Sequence, residues 1–337
     1  MFSIQKKPGR EILIVGAGLA GQLLARALAR LGESVTLADD PTLPGASRVA
    51  AWMINPVTGI RFVPSWRVKS YLPAALALYR ELEEESGLKI WHPLIIHRLF
   101  QGNDEWPRWE KKRLRPEVNR YVIDETTQPP GIRFHSGGWA NLGPWLKHHW
   151  LHPGQGIEVI SGKVERSELG KTSLEWQGKK FERVIFCTGF SVSNLPWKPA
   201  KGELLTVRIP NLNLQHILLR GIFVIPLGDD LYRVGATYEW DDLSHVNTDK
   251  GVQFLAEKLA VLTLLPYEIV DQQAAIRPIL RDARPVIGME KTDPRFGLCN
   301  GFGSKAALLA PAVCAHFADH LVNGTPLDPE LDLARLS

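Results

Sequence analysis

Ile12-Leu-Ile-Val-Gly-Ala-Gly-Leu-Ala-Gly21, with an acidic pair following at Asp39-Asp40, decides the fold of this chain. The apolar run Ile12 to Val15 suits a buried parallel strand. Gly16 permits a tight turn, Gly18 lets a pyrophosphate approach the backbone, and Gly21 lets the next helix pack closely on the strand. That helix would place Leu24, Leu28 and Leu31 on one face and Gln22, Arg26 and Arg30 on the other. Gly32 ends it, and Val35 and Leu37 alternate along a second strand toward Asp39. A carboxylate about 20 residues past the glycines is placed to accept the ribose hydroxyls of an adenosine. The pattern reads as a dinucleotide site on an α/β domain.

The 337 residues can hold two modest domains, and 45% hydrophobic with 23% charged residues describe an ordinary globular protein. No apolar stretch approaches the roughly 18 residues that would span a membrane. The first eight residues carry no secretory signal pattern. Cys187, Cys299 and Cys314 are odd in number and lack a C-x-x-C spacing, which favours a reducing cytoplasm over a disulfide framework or zinc site. A net charge of +4 is too small to indicate nucleic-acid binding. The basic cluster Arg108, Lys111, Lys112, Arg113 and Arg115 reads as a solvated face. Leu72, Ala75, Leu76, Tyr79 and Leu82 recur at helical spacing, with Glu81, Glu83, Glu84 and Glu85 on the wet side and end. His148 and His149 diverge on a helix, and His92 and His97 sit isolated in apolar surroundings; none suggests a metal.

Further segments stand out. Val184 to Cys187 is a second buried strand, ending in Thr188-Gly189, where backbone can approach a nucleotide. Ala275-Ile-Arg-Pro-Ile-Leu-Arg-Asp-Ala-Arg-Pro-Val-Ile-Gly288 sets three arginines and two prolines into strand-like sequence. Leu298-Cys-Asn-Gly-Phe-Gly-Ser-Lys-Ala-Ala-Leu-Leu-Ala-Pro311 gives a glycine turn before an apolar helix. The N-terminus of that helix, with Lys305, offers positive charge toward an anion. Ile222 to Pro226 and Tyr232 to Glu239, joined at Gly228-Asp-Asp230, read as a β-hairpin. Tyr232, Val234, Ala236 and Tyr238 would share one face of its second strand, and Arg233, Gly235, Thr237 and Glu239 the other.

Taken in order, these segments resemble the D-amino-acid oxidase/glycine oxidase family of FAD-dependent oxidoreductases. The resemblance also rests on Ala46-Ser-Arg-Val-Ala-Ala51, Ile54-Asn-Pro-Val-Thr-Gly59, Gly137-Gly-Trp-Ala-Asn141, Lys201-Gly-Glu203, Gly235-Ala-Thr237 and Arg284-Pro-Val-Ile-Gly288. It implies an α/β chain: a Rossmann-like FAD-binding domain of the glutathione-reductase type, and a second α+β substrate domain built on a mostly antiparallel sheet. The first would comprise residues 1–75, 136–198 and 272–337, and the second 76–135 and 199–271. The cofactor set implied is Gly16, Ala17, Gly18, Leu19, Ala20, Gly21, Asp39, Asp40, Ser47, Arg48, Ala50, Ala51, Met53, Val164, Thr188, Gly189, Gly301, Phe302, Gly303, Ser304 and Lys305. Ser47 and Arg48 would lie near the pyrophosphate, Ala50, Ala51 and Met53 along the isoalloxazine, and Lys305 at its pyrimidine edge.

The chemistry implied is oxidation of an amine or amino acid by hydride transfer to flavin N5, then imine hydrolysis in water, with oxygen or a quinone as electron acceptor. Arg277 would hold a substrate carboxylate, and Tyr238, Lys305 and Trp52 complete the catalytic set. No general base is required if the amine binds neutral. Several positions depart from the family pattern. Trp52 stands where glycine is common, and Ser304 where some relatives place a second arginine. Val49 occupies the position of a histidine that elsewhere bonds FAD covalently, and no cysteine follows Arg277-Pro278, so non-covalent FAD is expected. These departures keep two alternatives open. One is an amine carried on a larger molecule, such as a modified tRNA base or biosynthetic intermediate; the other is a non-catalytic nucleotide-binding protein.

Overall fold

Ile12, Leu13, Ile14 and Val15 are sealed from solvent on both faces, as a central parallel strand requires. They lie in a computed structural model describing residues 10–148, 156–170, 173–192 and 194–336. Close Cα approaches divide the chain into two units. One holds Met1–Arg48, Gly143–Pro199 and Arg277–Ser337; the other holds Val49–Leu142 and Ala200–Ile276.

In the first unit the elements are β1 (Glu11–Val15), α1 (Leu19–Arg30), β2 (Ser34–Asp39), β3 (Ile157–Ser161), β4 (Arg183–Phe186), β5 (Val286–Met289), β6 (Phe296–Asn300) and α2 (Ala306–Asn323). The six strands form one sheet in the order β3-β2-β1-β4-β6-β5. The first five run parallel and β5 pairs antiparallel with β6. Leu13 and Val15 face a cluster with Val164, Trp176, Phe181 and Phe296. Alternation turns Ile12 and Ile14 to the other face. α1 packs against α2.

The polar side of α1 is wet only at Arg30. Gln22 and Arg26 are buried, whereas Leu31 is 42% exposed. Gln22 Nε2 donates to the carbonyls of Ala17 and Leu146, both at 3.0 Å. The segment Leu142–His148, more than a hundred residues downstream, supplies the second acceptor.

The second unit carries an eight-stranded sheet. Its order is Glu268–Arg277, Ala200–Arg208, Leu231–Gly235, Phe223–Gly228, Ile217–Leu219, Ile96–Leu99, Pro130–Phe134, Val122–Thr127. Ile217–Leu219 runs parallel to Ile96–Leu99, and the other registered pairs are antiparallel. Leu205, Val207, Val224, Tyr232 and Val234 cover one face together with Leu255 and Leu259 of the helix Asp249–Ala260. Residues 49–75 and 136–142 belong to this unit rather than to the nucleotide domain that the sequence suggested. The reason is strand pairing: Met53–Ile54 and Trp91–Pro93 both bond to Gly138–Ala140, making a three-stranded sheet.

The helix Val68–Ser86 buries Leu72, Ala75, Tyr79 and Leu82, as the periodicity anticipated, and also Val68, whereas Leu76 is half-buried. Glu83 is more than a wet residue, because its Oε1 accepts the Ile90 and Trp91 amides, both at 2.8 Å. His92 stacks on Trp139 at 4.5 Å, and His97 Nε2 meets Thr126 Oγ1 at 3.0 Å, which are packing roles. His149 and the side chain of His148 lie outside the described residues, as do the first eight residues. Among the described residues no helix is long and apolar enough to cross a membrane, and no group of three His, Cys, Asp or Glu side chains is placed to hold a metal.

Candidate functional site

The glycine loop between β1 and α1 is shaped by exclusion. Gly16 has φ +99°, and a Cβ there would stand 2.9 Å from the Cys187 carbonyl oxygen. A Cβ on Gly21 would stand 1.9 Å from the Gly16 carbonyl oxygen. Backbone therefore touches backbone at both positions. Gly16 N–H donates to Ala38 O at 2.8 Å, and Cys187 N–H donates to Val15 O at 2.8 Å, fixing the loop between β2 and β4.

α1 has twelve residues and no acidic side chain in its first turn, so nothing on the helix offsets its positive dipole end. Ser47 sits at that end: its Oγ accepts the Leu19 amide at 3.0 Å. Asp39 ends β2 where the ribose acceptor was expected, yet it has protein partners too. Its Oδ1 accepts the Ala17 amide at 3.0 Å and its Oδ2 pairs with Arg48 Nη2 at 2.9 Å. Arg48 also reaches the carbonyls of Pro41 and Leu43 at 2.7 and 2.8 Å, which turns it toward the end of β2. Asp40 accepts from Thr42. Val164 is buried in the sheet's core cluster, so its backbone is what it can offer a nucleotide.

Three remote segments meet in the same unit. Thr188-Gly189 follows β4, and the Gly189 carbonyl accepts Asn300 Nδ2 at 2.9 Å. Asn300 Oδ1 in turn accepts the Gly301 amide at 2.8 Å, so this buried side chain ties both turns together. Gly301 and Gly303 have φ +77° and +55°, and the Gly303 amide donates to Pro278 O at 3.1 Å. Ile279 bridges to Phe302. The Arg277-Pro278 segment and the Gly301–Lys305 turn are thereby held side by side. Lys305 precedes α2, and burial pulls its ammonium below the usual lysine range. Ser304 is exposed.

Sequence reading missed Asn300, whose role needs two loops to converge. It also missed the cysteines, which lie far apart in sequence but close in space. Cys299 Sγ and Cys314 Sγ are 3.8 Å apart, and Cys314 reaches Ala20 O at 3.5 Å. All three thiols are unbridged and buried, and burial pushes Cys187 and Cys314 upward.

These features fit a bound dinucleotide: a glycine cradle, a helix N-terminus with no acidic residue in its first turn, a carboxylate at the end of β2, and a partly desolvated lysine. The model of the FAD dependent oxidoreductase family matches residues 11–320. The chain belongs to that family. Its cofactor is FAD. The chain is 25% identical to the bifunctional protein ThiO/ThiG of Nostoc sp., covering 93% of this chain and 53% of that protein. It is 26% identical to the tRNA 5-methylaminomethyl-2-thiouridine biosynthesis bifunctional protein MnmC of Hahella chejuensis, covering 97% and 59%. The chain thus spans little more than half the length of these two relatives. The crystal structure of glycine oxidase from Geobacillus kaustophilus shares the fold, with a TM-score of 0.78, 21% identity, and 97% and 98% of the two chains covered.

In the second unit the residues around Trp52 are tightly set. Trp52 is 7% exposed and has φ +54°, the left-handed conformation that glycine favours. The hairpin strand ends at Gly235, so the alternation proposed through Tyr238 stops short. Tyr232 is a core residue, whereas Tyr238 is 46% exposed and lies 5.4 Å from the ring of Trp240. The loop that follows is anchored by Lys201, only 1% exposed, whose Nζ reaches Asp242 at 2.5 Å and Ser244 at 3.2 Å. That contact holds the Asp242 carboxyl well below the usual range. Glu203, also buried, accepts from Thr248 and Gln272. The Lys201-Gly-Glu203 motif is therefore a buried brace for this loop.

Proposed function

We propose that this chain oxidises the C–N bond of an amine or amino acid, using FAD held without a covalent bond. The observation that carries the reading is the register of Pro278 and Ile279 against Gly303 and Phe302, which sets Arg277 and Lys305 on neighbouring segments of one unit. When bound, FAD supplies the hydride acceptor. The Gly16–Gly21 loop and the α1 N-terminus would hold its pyrophosphate, Asp39 its ribose, and Lys305 would place positive charge beside the ring. Arg277 would orient the substrate through two parallel hydrogen bonds to a carboxylate. Orientation is the chain's main task, because a neutral amine needs no protein base to lose hydride.

The test is anaerobic mixing with D-amino acids, glycine and N-methyl amino acids. At least one should bleach the flavin; a panel that leaves it yellow removes the small-substrate reading. Acid precipitation should release the colour into the supernatant. Comparing reoxidation by oxygen and by a quinone identifies the acceptor. The three unbridged thiols suit a reducing cytoplasm as the setting.

A second reading, an amine on a larger molecule, is favoured by the exposed Tyr238–Trp240 pair, which offers flat aromatic surface to a base. It accords with the relative MnmC, whose full name places it in the biosynthesis of a modified tRNA uridine. Salt-sensitive retention of bulk tRNA would support it, and no retention at low salt would remove it.

A further inference from the structure

The helix Glu105–Arg113 lies in the second unit and carries most of the basic cluster seen in the sequence. At about 100° of turn per residue, Glu105 and Trp109 share one face, and both are buried. Trp109 packs against Phe62 at 5.3 Å, and its Nε1 donates to Glu125 at 2.7 Å, which fixes the roll of the helix. Arg108, Lys111 and Lys112 then fall on one flank, at i, i+3 and i+4. Arg115 stays on the last turn, because its N–H donates to Lys112 O at 2.9 Å. Glu110 stands about 100° or more round the helix from those three cations. Arg108 pairs with Asp104 at 2.6 Å, but among the described residues no carboxylate pairs with Lys111, Lys112 or Arg115. The Arg113 side chain turns instead to Glu125, 3.5 Å away. Like charges at these spacings repel and weaken a helix. The helix dipole favours cations in the last turn, but it does not sort them onto one flank.

We propose that the flank Arg108, Lys111, Lys112 and Arg115 is a docking surface for the phosphate backbone of a structured RNA. The assignment deepens the second reading above, an amine carried on a larger molecule, and rests on it. Phosphates repeated along a strand meet cations repeated along a helix, and each cation that neutralises one releases a condensed counterion. Such contacts position an RNA without reading its sequence. A lipid surface fits less well, since a helix lying on one turns its apolar face to the acyl boundary. Here that face, with Trp109, is buried in the unit. The chain's net charge of +4 dilutes this sorting, which emerges only once the helix fixes its faces.

The experiment measures retention of bulk tRNA by the FAD-loaded protein across a salt series, with phosphatidylserine vesicles as a second probe. The test variant combines Lys111→Gln, Lys112→Gln and Arg115→Gln. The control removes three exposed cations elsewhere, by Lys180→Gln, Lys198→Gln and Lys250→Gln, for the same loss of charge. Wild type should bind tRNA with strong salt dependence. In the test variant the slope of log affinity against log salt should be shallower by about 2–3, at roughly 0.7–0.9 per phosphate contact. Its binding at about 0.1 M salt should be about 10- to 100-fold weaker, and the control should stay within about threefold of wild type. If the triple variant fails to fold, Lys111→Gln alone should flatten the slope by about 0.7–0.9. Equal losses in test and control would reduce the effect to net charge and overturn the proposal. Vesicle binding without tRNA binding would overturn it too, as would no tRNA retention at low salt. Retention that the test variant keeps in full removes this surface and leaves the second reading standing. Binding through the flank, with a flavin that tRNA never reduces anaerobically, keeps the surface and retires that reading.

Discussion

Replacing Gly21 by alanine tests whether the close approach of α1 to β1 sets both the stability of the first unit and its hold on FAD. Alanine is the better helix former by about 1 kcal/mol, so in open space the change would stabilise. Here the new Cβ would stand 1.9 Å from Gly16 O, 3.1 Å from Gly16 C and 3.4 Å from Cys187 Cβ. Cβ contacts below 3.0 Å are essentially never seen, so α1 must retreat by the difference from 1.9 Å, about 1.1 Å. Both obstacles at Gly16 are backbone, with no side chain to swing aside, and α2 packs against α1. Overpacking of this kind costs about 1–3 kcal/mol, and rigid obstacles favour the upper end. The clash therefore outweighs the propensity gain by about 2 kcal/mol.

In the proposed site, a displaced helix N-terminus would also carry its N–H groups away from the pyrophosphate. At 1.4 kcal/mol per tenfold, a comparable loss in binding weakens FAD by roughly 30-fold. The assay is fluorescence titration of apoprotein with FAD, paired with thermal unfolding of the apoprotein. About 2 kcal/mol lowers Tm by roughly 4–8 °C in a unit of this size. Gly45→Ala is the control: a Cβ there meets nothing within 4 Å, so it should stay within about 0.5 kcal/mol of wild type. A Gly21→Ala protein that melts with the wild type and binds FAD within threefold of it would refute the reasoning.

Asn300→Leu should lower the denaturation midpoint by the equivalent of about 2–5 kcal/mol, because it orphans the Gly189 carbonyl and the Gly301 amide; an unchanged midpoint would show that water replaces the side chain. Lys305 has its folded-state pKa depressed by burial, so the unfolded chain binds its proton more tightly. The charged form penalises the folded apoprotein below the folded pKa, and the penalty fades as pH rises through that value toward about 10.4. Lys305→Met should therefore be more stable than wild type at neutral pH and converge with it in alkali; equal stability across the range would contradict this. Trp52→Gly relieves about 1–2 kcal/mol of left-handed strain at φ +54° but forfeits about 3–5 kcal/mol of buried ring. A net loss in urea unfolding is expected, and a net gain would show that strain dominates.

The parts of the fold legible in the sequence were those whose physics is local. Gly16 and Gly21 announce themselves because no side chain fits there, and Ile12 to Val15 because a strand covered on both faces needs unbroken apolar residues. Gln22 misled for the opposite reason: its polarity looked like solvent exposure, but its acceptor at Leu146 comes from more than a hundred residues away. The same holds for Asp39, whose carboxylate is shared with the Ala17 amide and Arg48 before any ribose arrives. The ribose contact proposed for that carboxylate would therefore compete with, or build upon, an existing ion pair.

The substrate side was hardest to read because alternation fails at its edge. The hairpin predicted one face through Tyr238, but the strand ends at Gly235 and the chain beyond it is set by other contacts. Glu239 bridges back to Lys201, and Lys201 Nζ reaches Asp242 and Ser244. A buried lysine in an apolar strand is costly unless its partners are complete, so removing one partner should loosen the whole loop. Asp242→Asn replaces the nearer carboxylate of Lys201 Nζ, at 2.5 Å against 3.8 Å for Glu203, by a neutral amide and should destabilise the protein while increasing amide exchange at residues 237–248. The core around Leu255 and Leu259 should keep its protection. If exchange rises equally in that core, Lys201 stabilises the entire sheet and the loop has no separate anchor.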